Sequence, residues 1–265
     1  METIALPKKI KFIKGDRPNQ KQVVIEPCYP GYGTTIGNVL RRVLLSSLPG
    51  AAVVGVKFKG ADHEFTTLPH IKEDILEITL NLKQLRLKMF TTETVKLELV
   101  ARGEKEVKAS AITKNSQVEI VNPDLTIAHV TDMAGSLEME IFVAPGKGYV
   151  AIESREEEKN EIGYIAIDSI FSPILSVGIN IENVRVGKMT NWDKLIISIT
   201  TDGTITCEDA FAYSTKVLIE QFTALIKSDE PMATEEVMPA AEEPAAPIKA
   251  LEIKPKKRGR PKKTV

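Results

Sequence analysis

Ile36, Val39, Leu40, Val43 and Leu44 recur at steps of three and four residues, which predicts a helix with one apolar stripe that Leu45 and Leu48 widen. Pro30, Gly31 and Gly33 mark a turn before it. Thr34 or Thr35 offers a hydroxyl to the first free backbone N–H groups, and Pro49-Gly50 ends the helix near Leu48. A second helical period, Ile71, Ile75, Ile78 and Leu82, has Glu73 and Asp74 in its first turn. A third helix covers about 208–227, with a stripe of Phe211, Ser214 or Thr215, Leu218, Phe222, Leu225 and Ile226. Glu208 and Asp209 open it and Lys227 closes it, as the helix dipole prefers.

Elsewhere the period is two. Ala52, Val54, Val56 and Phe58 alternate with Val53, Gly55, Lys57 and Lys59, and Leu137, Met139, Ile141 and Val143 alternate with Glu138 and Glu140. Each predicts a strand with one buried face. Residues 94–100, 118–121, 126–130, 179–186 and 194–200 are shorter β-rich runs, Leu85, Leu87 and Met89 fall into the same period, and Asp202-Gly203 marks a turn before the last helix. Residues 50–175 therefore read mostly as sheet, and the fold class is α+β.

The apolar arc of the first helix is broader than one buried side needs, so it is read as packed against its own domain and against a second chain. A helix wholly inside one core is the alternative. Arg41 and Arg42 oppose that, because neighbouring guanidiniums about 100° apart cannot both hide in one core. The glycines before the helix invite a phosphate-binding reading, since they lie between a possible strand at 22–26 and a helix start. Their spacing argues otherwise. Gly31, Gly33 and Gly37 make GxGxxxG rather than GxGxxG, no Gly-Lys-Ser/Thr follows, and about twenty residues on the chain offers Lys57 and Lys59 instead of an acidic residue.

The chain of 265 residues is 43% hydrophobic with a net charge of −1, enough for one sizeable core or two smaller ones. Its apolar runs are only a few residues long and METIALPKKIKF has no long apolar segment, so a cytoplasmic location is expected. Cys28 and Cys207 are too few and too distant for a disulfide framework or a zinc site. No DxDxD cluster of the kind that magnesium-dependent polymerisation needs is present, and His63, His70 and His129 have no partners at metal-ligand spacing. Neither a catalytic residue, a metal nor a cofactor is therefore expected in this chain. The charge is segregated at the end. Asp229, Glu230, Glu235, Glu236, Glu242 and Glu243 are opposed by Lys249 alone, and then Lys254, Lys256, Lys257, Arg258, Arg260, Lys262 and Lys263 by Glu252 alone. The remaining body is mildly acidic, which excludes a general polyanion binder.

The segment PGYGTTIGNVLRRVLLSSLPGAAV resembles the signature of the alpha subunit of bacterial RNA polymerase, in its N-terminal assembly domain. HEFTTLPHIKEDILEITLNLKQL, VEIVNPDLTIA, GKGYV, IAIDSIFSPI, IENVRVG and DKLIISITTDGTI follow in the family's order. The resemblance implies a homodimeric scaffold, itself without an active site, that recruits the beta and beta-prime subunits of a DNA-directed nucleotidyltransferase. It implies a discontinuous dimerisation domain of residues 1–49 and 176–228, with 50–175 as an inserted β-rich domain. The first and third helices would meet their copies through Ile36, Leu40, Val43, Leu44, Phe211, Leu218 and Phe222. Arg41, Arg42 and Leu45 match positions linked to beta, and Glu77, Lys83, Ile167, Asp168 and Ile174 match positions linked to beta-prime. Arg42 has the strongest physical case, because its planar fork can hold a partner's carboxylate or carbonyls across a desolvated interface.

The chain departs from the family twice. Ile174-Leu175-Ser176 is uncharged where many alphas place an arginine, and the usual helical DNA-binding domain is expected to be absent after residue 228. Residues 229–265 are expected to be disordered. Within them KKRGRPKK resembles an AT-hook, whose core Arg258, Gly259, Arg260 and Pro261 would lie in the minor groove of A·T-rich DNA. A basic solubilising tail is equally open for this segment. The rival to the alpha reading is a free-standing AT-hook architectural protein, which the acidic body and apolar helices do not require.

Overall fold

In the computed structural model, residues 4–155 and 163–227 are described. The chain begins with strands β1 (Lys9–Lys14) and β2 (Gln20–Cys28), helix α1 (Tyr32–Ser46), strand β3 (Pro49–Phe58) and helix α2 (Ile75–Leu82). Strands β4 (Leu87–Met89), β5 (Val95–Arg102), β6 (Lys105–Lys108), β7 (Val118–Ile120), β8 (Thr126–Val130) and β9 (Ser136–Lys147) follow. The last part comprises β10 (Tyr149–Val150), β11 (Tyr164–Ala166), β12 (Ser169–Ile170), β13 (Ile174–Val186), β14 (Met189–Thr201) and helix α3 (Cys207–Lys227). The expected α+β class stands.

Two sheets carry the architecture. An antiparallel sheet of order β1-β2-β14-β13 joins the two ends of the described chain, and the order β5-β9-β3-β4-β7, with β11 also paired to β3, lies between them in sequence. Each sheet backs its own apolar cluster. In the first, Val23 and Ile25 of β2 and Leu195, Ile197 and Ile199 of β14 pack against Leu40, Leu44 and Leu48 from α1 and its end and against Cys207 and Ala210 of α3. In the second, the alternating residues Leu137, Met139, Ile141 and Val143 of β9 meet Leu97 and Leu99 of β5 and Ile75, Ile78 and Leu82 of α2. Residues of the first cluster come from 23–48 and 174–210, those of the second from 53–167.

Three local expectations are corrected. The first helix begins at Tyr32 rather than after Thr34 or Thr35, neither hydroxyl caps it, and it stops at Ser46. The regular alternation expected at 52–58 is broken by a bulge, for Val53 pairs with Val143 and Gly55 with Phe142. The extra residue, Val54, resets the period, so Val53, Val56 and Phe58 share one core. The second helix begins at Ile75, capped by Asp74, whose Oδ1 accepts the Glu77 N–H at 2.7 Å. Glu73 has left the helix to bind His129, accepting its backbone N–H at 2.7 Å and its ring Nδ1 at 2.5 Å.

Candidate assembly interface

Helix α1 lies close on the first sheet because its inner side is small where the sheet is near. A Cβ added at Gly37 would meet Leu195 at 3.0 Å and Ile179 at 3.2 Å. Its N-terminus is held from the sheet. Gly31 stands at φ 85°, in the left-handed region, and Asp193 Oδ2 accepts the N–H of Gly31 at 2.9 Å and of Gly33 at 3.1 Å. The glycine turn is thus an anion-binding nest whose anion is a carboxylate of the same chain, which leaves no place there for a nucleotide phosphate. Tyr29 packs edge-on to both Tyr32 and Trp192 beside this cap.

With its inner side so fixed, α1 presents Arg41, Arg42 and Leu45 outward, all exposed. Arg41 and Leu45 are one turn apart and share a face. Neither guanidinium has an ion pair or side-chain hydrogen bond among the described residues. The expected dimer residues divide. Ile36 and Val43 are half-buried at the flank of the helix, whereas Leu40 and Leu44 are buried in the chain's own core, 4% and 0% exposed. The seven-residue set therefore mixes core positions with surface ones, and Leu40 and Leu44 support α1 rather than face outward.

Helix α3 shows a matching gradient. Its first half is anchored by buried Cys207, Ala210 and Ser214, and the Ser214 hydroxyl is satisfied by donating to the Phe211 carbonyl at 2.8 Å. Phe211 and Leu218 flank this seam. Beyond it Ile219, Phe222, Leu225 and Ile226 are 55–75% exposed. An apolar trough of about 720 Å³ runs between β1 and α3, lined by Ile10, Phe12, Phe211 and Ile219, with Phe12 edge-on to Phe211 at 5.9 Å. So large an exposed apolar surface on a helix end is more than a lone chain ordinarily leaves to water.

The residues expected to meet beta-prime are only partly brought together. Lys83 Nζ donates to Asp168 Oδ2 at 3.2 Å, and Asp168 Oδ1 accepts the Ile152 N–H at 3.1 Å. The Ile152 N–H, followed by the Lys83 ammonium and the Tyr149 hydroxyl, holds the Asp168 carboxyl below the usual carboxylate range. Glu77 is exposed on α2. Ile167 and Ile174 are buried, 1% and 5% exposed, one in each apolar cluster, so neither side chain is offered at the surface. Sequence reading missed Asp193, whose role depends on a partner 160 residues away, and the exposed Tyr149, Ile152 and Ile170 that surround Asp168.

A family profile described as "RNA polymerase Rpb3/RpoA insert domain" matches residues 56–172. A DNA-directed RNA polymerase subunit alpha of Carboxydothermus hydrogenoformans is 45% identical over 222 residues, covering 84% of this chain and 71% of the relative. The chain belongs to the RNA polymerase alpha-subunit family. Another alpha subunit, of Nitratidesulfovibrio vulgaris, is 51% identical over 212 residues, covering 80% of this chain and 61% of the relative. That of Syntrophomonas wolfei is 45% identical over 231 residues, covering 87% and 73%. The chain thus spans about three fifths of the length of some of these alpha subunits. Membership leaves a free-standing AT-hook protein without support. Among the described residues no helix of this alpha-family chain is long and apolar enough to cross a membrane. The AT-hook-like residues Arg258, Gly259, Arg260 and Pro261 lie outside the described residues, as does the whole of 229–265.

Proposed function

We propose that this chain is a non-catalytic alpha-type subunit that dimerises and then nucleates assembly of the beta and beta-prime subunits for DNA-templated transcription. The observation that carries the reading is the division of α1 into an inner side locked onto the sheet and an outer side of free guanidiniums and Leu45. Such a helix serves recognition by a larger partner, since the arginines add nothing to the chain's own packing. The two apolar clusters support a division close to 1–49 with 176–228 and the insert 50–175, Ile174 alone crossing it into the first cluster. Dimerisation is assigned to the exposed end of α3 with the flank of α1, beta capture to Arg41, Arg42 and Leu45, and beta-prime capture to the edge of Lys83 and Asp168 with Glu77.

The test is co-purification with tagged beta. Arg42→Ala should keep the dimer and lose beta; normal recovery of beta would refute the assignment.

The basic segment 254–263 is read as a contact to A·T-rich upstream DNA, supported by the Arg-Gly-Arg-Pro core and its flanking lysines. Footprints of assembled polymerase with and without residues 251–265 should differ upstream, and identical footprints would reject the contact.

A further inference from the structure

Arg155 makes no ion pair among the described residues, yet it is half-buried and both its terminal nitrogens donate hydrogen bonds. Nη1 donates to the Val54 carbonyl at 2.7 Å, and Nη2 donates to the Ile167 carbonyl at 2.9 Å and to Ser169 Oγ at 2.5 Å. The Ser169 hydroxyl passes the connection on, donating to the Val53 carbonyl at 2.7 Å. The bulge of β3 makes this possible, because the unpaired Val54 turns its carbonyl away from β9 toward the Ile167 N–H, at 2.9 Å, and toward Arg155. One planar fork therefore ties β3 to residues 167–169.

The same three residues carry the outward-facing Asp168. Ile167 and Ser169 are each 1% exposed, while Asp168 between them faces Lys83 and the Ile152 N–H. The loop from 151 to 155 is thus fastened twice, by its own Arg155 and by Asp168. Tyr149 lies opposite Ile170 in the β10–β12 pair, so these side chains and Ile152 stand exposed around the ion pair.

We infer that Arg155 is a positioning residue that presets the Asp168–Lys83 edge, with Tyr149, Ile152 and Ile170 around it, as a rigid docking face for the beta-prime subunit. The inference rests on the assignment of that edge to beta-prime made above and adds the residue that shapes it. Arg155 touches no partner itself. It removes the freedom that residues 149–155 and 167–170 would otherwise lose on binding, and a preordered face binds more tightly for that reason. Lysine cannot replace it, because a point charge on a flexible stem does not bridge three acceptors in one plane.

The test uses the full-length dimer with Arg155→Ala, Arg155→Lys and Asp168→Ala, titrated separately with purified beta and beta-prime. Arg155→Ala should weaken beta-prime binding by about tenfold, the scale set by reordering one or two side chains or a loop turn. Beta binding and the dimer should be unchanged, Arg155→Lys should not restore affinity, and amide exchange at Ile152 and Ile167 should quicken. If Asp168→Ala weakens beta-prime binding and Arg155→Ala does not, the positioning role is overturned while the assignment of the edge survives. If Asp168→Ala leaves beta-prime binding unchanged, the assignment itself fails and the inference with it. Equal loss of beta and beta-prime in Arg155→Ala would show general unfolding and would also overturn it.

Discussion

Asp193 caps Gly33 at the start of α1, its Oδ2 accepting the Gly33 N–H at 3.1 Å. The contact explains why a small residue stands there, since a Cβ at Gly33 would lie 2.9 Å from that oxygen. It also joins the β13–β14 hairpin to the helix that presents Arg41 and Arg42. Asp193→Ala leaves two N–H groups without an acceptor and should cost about 1–3 kcal/mol. Asp193→Asn keeps an oxygen and forfeits only the charge–dipole part, about 0.3–1 kcal/mol. Urea unfolding of the two variants measures this order, and equal losses would reject the charge-independent part of the cap.

Two apolar residues expected at one interface should behave differently. Phe222 is 55% exposed, so Phe222→Glu should produce a folded monomer with nearly unchanged chain stability. Leu40 is buried beneath α1, so Leu40→Glu places an unpaired charge in the core and should cost more than about 3 kcal/mol. Sedimentation combined with circular dichroism separates the outcomes. A dimeric Phe222→Glu protein would move the interface away from α3.

Acid should act through the carboxyls held below their ordinary values, Glu73 and Asp168 among them. Burial pushes the Glu73 carboxyl up, but the backbone N–H and ring of His129 outweigh it and hold the group below its ordinary value. Asp168 is lowered chiefly by the Ile152 N–H and then by Lys83. A carboxyl depressed in the folded state contributes stability above its unfolded pKa and loses it as pH falls through the folded value. Stability should therefore decline from about pH 5 towards pH 3. Asp168→Asn should cost under about 1 kcal/mol at neutral pH, because the pair is partly open to solvent, and nothing once the native carboxyl is protonated. Thermal melts across that range that run parallel for the two proteins would contradict this.

The elements with one wet face were readable from sequence. β9 alternates without interruption and was predicted as observed, and α2 and α3 were placed within a few residues because Asp74, Glu208 and Asp209 sit where helix starts favour them. β1 is not legible, since all six residues of KIKFIK are exposed and its alternation covers only Ile10 and Phe12. The cap of α1 is not legible because Thr34 and Thr35 offer nearer hydroxyls while the acting carboxylate lies in a distant hairpin. At the candidate sites, Arg41, Arg42 and Leu45 were legible as residues too polar or too many for one core. The Lys83–Asp168 pair was named only residue by residue, and the Arg155 fork that braces it stands beside an acidic run that reads as solvated surface.

The pairing of β2 with β14 fixes when the outer side of α1 can be held in place. Ile25 lies opposite Leu195, and the cluster beneath α1 draws on residues 174–210, whereas the larger cluster is complete with residue 167. During synthesis the middle of the chain can fold while α1, already made, has no sheet to lie on. Its arginines are set in place only when the final hairpin emerges. On the proposed assembly role, a nascent or prematurely terminated product would display no ordered α1 surface, and the connectivity of the fold would make a completed hairpin a condition for capturing a larger subunit.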